Sequence, residues 1–233
     1  MGKPEEAAAE LRALSDKARS DGDRRTALFA MTVVQADAGR LDKALEEVEK
    51  QYALGEKIGD VAAMTGDLQL KGNILVEMGK YDEAKAEFDK LLKMTEESTL
   101  SPEIKNNARL FHHYNLVTVA LGKKDFAAAK AGAEAFRKGA EVSKNPNQLR
   151  QAHELAGMIA LAEKDYDKAI AELQQASQQN PQNLYRLSQA YQGKGDNAKA
   201  KEFAARAAGF NSLPQLNYAF VRTKARKLAS SSG

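Results

Sequence analysis

The chain has 233 residues, 35 of them basic and 32 acidic for a formal charge of +3, and no cysteine. Disulfides, thiolate catalysis and zinc–thiolate sites are thereby excluded, and no apolar run reaches the roughly eighteen residues that a membrane-spanning helix needs. The two signs of charge are read as mixed along the chain, the mark of a solvated surface and not of a nucleic-acid footprint.

Ala, Lys, Glu, Leu and Gln dominate, and these residues lose little rotamer freedom in a helix. No stretch gathers β-branched and aromatic residues at period two, so the sequence predicts helices throughout and no sheet. The first helix is expected over 4–20. Pro4 stands near its first turn with Glu5 and Glu6 behind it, and Asp21-Gly22-Asp23 is read as its end.

One phrase then recurs five times: Asp42-Lys43-Ala44, Tyr81-Asp82-Glu83-Ala84, Asp125-Phe126-Ala127-Ala128-Ala129, Asp165-Tyr166-Asp167-Lys168-Ala169 and Asp196-Asn197-Ala198-Lys199-Ala200. The aligned alanines are 40, 45, 40 and 31 residues apart. Four residues past them stand Val48, Phe88, Ala133, Leu173 and Ala204; seven past stand Gln51, Leu91, Phe136, Ala176 and Ala207. That spacing puts them on one helix face, and the alanines require a second backbone to come close. A turn precedes each phrase, at Gly39, Gly79, Gly122, Lys164 and Gly195. The glycine is read as a left-handed cap ending one helix, and the Asp after it as the start of the next.

Upstream of each turn lies a second amphipathic helix, carrying Leu28/Thr32/Gln35, Leu68/Gly72/Leu75, His113/Val117/Ala120, His153/Gly157/Ala160 and Leu184/Ser188/Tyr191. After the fifth copy, Leu213, Leu216, Phe220 and Leu228 recur at helical spacing around Pro214, which predicts a closing helix over 213–228.

This set of residues resembles the tetratricopeptide repeat (TPR) family. The fifth copy carries Leu184, Leu187, Ser188, Tyr191, Gly195, Ala200, Ala204 and Ala207 at the family's offsets, and the fourth closes on Pro181. Gln35, Gln51, His113 and His153 depart from the pattern, and most spacings exceed the usual 34, as in the longer-repeat bacterial branches. The resemblance implies an all-α, right-handed α-solenoid of about five helix pairs and about twelve helices. It would be one domain, with repeats over roughly 25–60, 61–98, 101–144, 147–180 and 181–211 and capping helices over 4–20 and 213–228.

No catalytic constellation is present. Gly193-Lys194-Gly195 is a helix corner, without the spacing of a phosphate loop. His112 and His113 point about 100° apart on a helix and do not converge on one ion. His153-Glu154 lacks the second histidine of a metalloprotease helix. The chain is therefore read as a non-enzyme with no metal and no cofactor. The basic run Arg222, Lys224, Arg226 and Lys227 is read as the solvated side of a cap.

The resemblance also implies a partner groove on the concave side, lined by the first helix of each pair. Its slots fall on Phe29 and Val33, on Gln69 and Asn73, on Phe111, Tyr114 and Thr118, on Glu154 and Met158, and on Tyr185 and Gln189, with Asn115 and Arg186 close by. Rings that helix packing does not require, interleaved with amides, suit an extended peptide. Chaperone-binding members clamp a C-terminal carboxylate with cations; here Gln69/Asn73, Asn115 and Gln151/Leu155 stand in those slots, so that partner is not expected. The expected function is a scaffold for a peptide or protein segment, with a peptide-sensing regulatory module or a self-assembling homo-oligomer as alternatives. Met1 to Glu6 has no apolar core of the kind a leader needs. The compartment stays open between cytoplasm and, for a chain whose leader has been removed, periplasm.

Overall fold

The computed structural model describes residues 3–210 and 216–230, and among them every regular element is a helix. In chain order these are α1 (Pro4–Asp16), α2 (Asp21–Asp37), α3 (Leu41–Ile58), α4 (Val61–Glu77), α5 (Tyr81–Glu97) and α6 (Pro102–Gly122). They continue with α7 (Phe126–Ser143), α8 (Pro146–Ala162), α9 (Tyr166–Gln175), α10 (Pro181–Lys194), α11 (Asn197–Ala208) and α12 (Leu216–Ser230). The fold is all-α and built of consecutive helix pairs, α2/α3, α4/α5, α6/α7, α8/α9 and α10/α11. We call the first member of each pair helix A and the second helix B. Residues 1–108 with 214–219 form one compact unit, and residues 109–213 with 220–233 a second.

The turn inside each pair is the same device five times. At the first, Gly39 N–H bonds Ala36 O at 3.0 Å and Arg40 N–H bonds Gln35 O at 2.9 Å, a double closure that leaves the intervening residue left-handed. The same two bonds close the turns at Gly79, Lys124, Lys164 and Gly195. Glycine supplies positive φ at three of them, but Lys124 (φ 60°) and Lys164 (φ 65°) adopt it at the others. Gly122, the sequence's candidate cap, is instead the last residue of α6. The hydrogen-bond register places the left-handed residue five before the buried alanine, and Gly122 stands seven before Ala129.

The residue after the left-handed one is the N-cap of helix B. Asp125, Asp165 and Asp196 occupy it and accept from Ala128, Lys168 and Lys199 N–H at 3.0, 3.2 and 3.1 Å. In the first two turns Arg40 and Lys80 stand there without a side-chain cap, and Asp42 and Asp82 lie inside the first turn. Asp21-Gly22-Asp23 does not end a helix but begins α2, because Ser20 Oγ accepts from Asp23 N–H at 3.0 Å and two aspartates favour the positive helix start. The expected start of the last helix at Ser212, Leu213 and Pro214 lies outside the described residues; α12 buries Leu216, Phe220 and Ala225.

Helices A and B cross closely where the repeat supplies small residues. Ala44, Ala84, Ala129, Ala169 and Ala200 are at most 2% exposed. A Cβ on Gly72 would lie 2.2 Å from the Phe88 ring, and one on Gly157 would lie 2.6 Å from Leu173 Cγ. The third pair reaches the same closeness from the other side. There α6 carries Val117, and the glycine is Gly132 on α7, whose added Cβ would lie 2.8 Å from Val117 Cγ2.

Candidate functional site

The A helices carry the expected groove residues, and each unit presents its own set. In residues 1–108, Phe29 and Val33 on α2 are half-buried, while Gln69 Nε2 donates to Asn73 Oδ1 on α4 at 3.0 Å. Beneath them a buried ion pair joins α2 to α4. Arg25 Nη2 stands 2.9 and 3.0 Å from the two Asp67 oxygens, and its Nη1 donates to Gln51 O on α3. Burial pushes the Asp67 carboxyl up, with Arg25 opposing. A cavity of about 190 Å³ lies between α3, α4 and α5, but its charges are already matched. Lys71 bridges Glu49 and Glu87 at 3.4 and 3.0 Å, and Lys90 covers the Tyr52 ring.

In the second unit one carboxylate ties three consecutive A helices. Glu154 on α8 is 3% exposed, and its Oε1 accepts from Tyr114 Oη on α6 at 2.9 Å and from Arg186 Nη1 on α10 at 2.7 Å. Asn180, which caps α10 through its Oδ1, offers its Nδ2 to the same oxygen at 3.3 Å. Arg186 also donates to Asn183 and Gln182. Burial, with the Glu154 charge added, pushes the Tyr114 hydroxyl far above the usual phenol range, although Arg186 opposes it. Tyr114 is therefore a neutral donor to Glu154.

The sequence reads these rings as free of helix packing, but Phe111 and Tyr114 take part in it. Phe111 and Tyr114 pack edge-on against Phe136 with centroids 6.0 and 5.9 Å away. Phe136 occupies the slot where other copies place Leu91, Ala176 or Ala207, and α6 closes over it with aromatic rings. Met158 packs on the same cluster, while Tyr185 packs against Leu184, Ala207 and Ala225. Asn115 is buried, and its carbonyl accepts from Thr118 Oγ1 at 2.7 Å; Gln189 is exposed. Gln151, one turn before Glu154 on α8, has a side-chain oxygen that is buried without a donor among the described residues.

The sequence points to Tyr114 and Glu154 but not to their bond, nor to Asn180, Arg25 and Asp67. The pairs span 26 to 42 residues, beyond the reach of any helical period. Of the histidines, His153 Nδ1 stands 2.8 Å from Glu172 Oε2 on α9, and no group of three metal-ligating side chains occurs among the described residues.

The family description "Tetratricopeptide repeat-like domain" matches residues 1–110, and "Tetratricopeptide repeat" matches 151–183 and 181–212. The chain belongs to the tetratricopeptide repeat family. No curated protein matches it. The fold is similar to that of BtubC (BKLC) from P. vanneervenii, with a TM-score of 0.59 at 15% identity over 92% of this chain and 96% of that one. It is also similar to a tetratricopeptide repeat protein from Parabacteroides merdae, with a TM-score of 0.50 at 13% identity over 99% and 93%. At such identities these two likenesses concern the fold alone. TPR domains generally mediate protein–protein interactions and are typically non-enzymatic. Among the described residues of this TPR chain, no helix is long and apolar enough to cross a membrane.

Proposed function

We propose that this TPR protein is a non-enzymatic interaction module, and that the A-helix face of residues 109–213 takes an extended, uncharged segment of a protein partner. The observation that carries this reading is the neutrality of that face. Its one carboxylate, Glu154, is matched by Arg186, the other slots hold Phe111, Tyr114, Thr118, Met158, Tyr185 and Gln189, and Gln151 stands one turn before Glu154. A face without net charge gives an acidic or basic tail nothing to pair with, whereas amides bond main-chain groups and a thioether adapts to varied side chains. Gln151 supports it, since its side chain is half-buried and its oxygen has no donor among the described residues, so turning outward to accept an incoming N–H breaks no bond to that oxygen.

The test is selection of peptides from a display library on the intact chain, followed by anisotropy titration. Gln189→Ala and Gln151→Ala should each weaken the selected peptides by about 0.5–1.5 kcal/mol, the net worth of a hydrogen bond. Binding should persist in high salt. Selected peptides that are strongly charged, or that bind both variants as well as the parent, would show that this face is not the site.

A further inference from the structure

The mixed charges of the chain are unequally divided between its two units, which follow the sequence and part near residue 108. The unit containing residues 1–108 holds 16 basic and 22 acidic side chains, a net −6, while the unit drawn from 109–233 holds 19 basic and 10 acidic, a net +9. The excess in the second unit is largely exposed. Lys124, Lys144, Lys164 and Lys168 face solvent, and α12 adds four cations with no acid. Burial and the neighbouring Arg226 lower the proton affinity of Arg222, as crowded like charges do.

We propose that this chain associates with further copies of itself, the acidic unit of one copy lying against the basic unit of the next. The complement to the basic surface is present on the same chain and so at equal concentration. A nucleic acid fits less well. Single strands are held on exposed rings set in a cationic groove, and no aromatic side chain from 109 onward is fully exposed among the described residues. The two surfaces are complementary, so copies join acidic unit to basic unit, reciprocally in a closed pair or head-to-tail in a growing series. Such a contact is steered by charge and weakened by salt.

Sedimentation velocity on the full chain reads this directly. At about 0.02 M salt the parent should form species that grow with protein concentration, and at about 0.5 M it should return to monomer, because the Debye length falls from about 20 Å to a few ångströms. Two variants each disable one surface: Arg226→Glu with Lys227→Glu on α12, and Glu46→Lys with Glu56→Lys on α3. None of these four side chains has a hydrogen-bond or ion-pair partner among the described residues. Each variant alone should lose at least about tenfold in association at low salt. Mixed together, the two reversed variants should regain association, because an intact acidic surface meets an intact basic surface and the two reversed surfaces are again opposite in charge. Should a reversed variant melt earlier than the parent by circular dichroism, the corresponding Gln substitutions carry the same comparison. A parent that stays monomeric at low salt would overturn the proposal, as would variants that associate like the parent or a mixture that does not pair. Binding to an oligonucleotide or an anionic vesicle without self-association would overturn it as well.

Discussion

Tyr114 Oη donates to Glu154 Oε1 at 2.9 Å, joining the A helices of two consecutive repeats across forty residues of sequence. The same oxygen holds Arg186 from the next A helix, so one carboxylate sets the spacing of α6, α8 and α10. Removing it should uncover three donors at once. Glu154→Ala is expected to cost about 3–5 kcal/mol, as when one partner of a buried ion pair is deleted, and Tyr114→Phe only about 1 kcal/mol. Urea unfolding measures both. Equal midpoints for Glu154→Ala and the parent would mean that the tie does not hold the repeats.

Alkaline unfolding isolates the Tyr114 hydroxyl. An unfolded tyrosine ionises near pH 10, while burial and the Glu154 charge keep Tyr114 protonated in the folded chain well above that. Its contribution is therefore complete below about pH 10 and declines as pH rises further, by up to about 1.4 kcal/mol per unit. The stability advantage of the parent over Tyr114→Phe should shrink between about pH 10 and 11.5. A constant difference would place the hydroxyl in contact with water.

Two glycines on α4 should respond oppositely to one methyl group. Gly72→Ala drives a Cβ into the Phe88 ring and should destabilise by about 1–3 kcal/mol. Gly66→Ala meets nothing within 4 Å and should stabilise by about 0.5–1 kcal/mol through helix propensity. Thermal melts of the pair check the crossing geometry, and like-signed shifts would contradict it.

The turns predict where stability can be added. Lys164 holds a left-handed φ that glycine adopts without strain, so Lys164→Gly should stabilise by up to about 1 kcal/mol. Lys80 stands at an uncapped helix start where Asp125 and Asp165 have a side-chain cap, so Lys80→Asp should add about 0.5–1 kcal/mol. Asp165→Ala should lose about 1 kcal/mol, the usual worth of an N-cap. Chemical denaturation of the three variants provides the measurement, and a destabilised Lys80→Asp would show that this turn cannot host the cap.

The repeat itself was legible without coordinates. The spacing of Ala44, Ala84, Ala129, Ala169 and Ala200, with a turn before each, is local information, because helix periodicity and capping act within a few residues. Tertiary structure alone decided what lies across helices. It moved the left-handed turn from Gly122 to Lys124, since the register of the closing bonds, and not the nearest glycine, sets that position. It gave the small residue of the third crossing to Gly132 opposite Val117, because close approach needs one small partner on either side. It made Tyr114 a donor to Glu154 instead of a free ring. Such pairings join residues tens of positions apart, and a helical period carries no record of which distant helix will supply the partner.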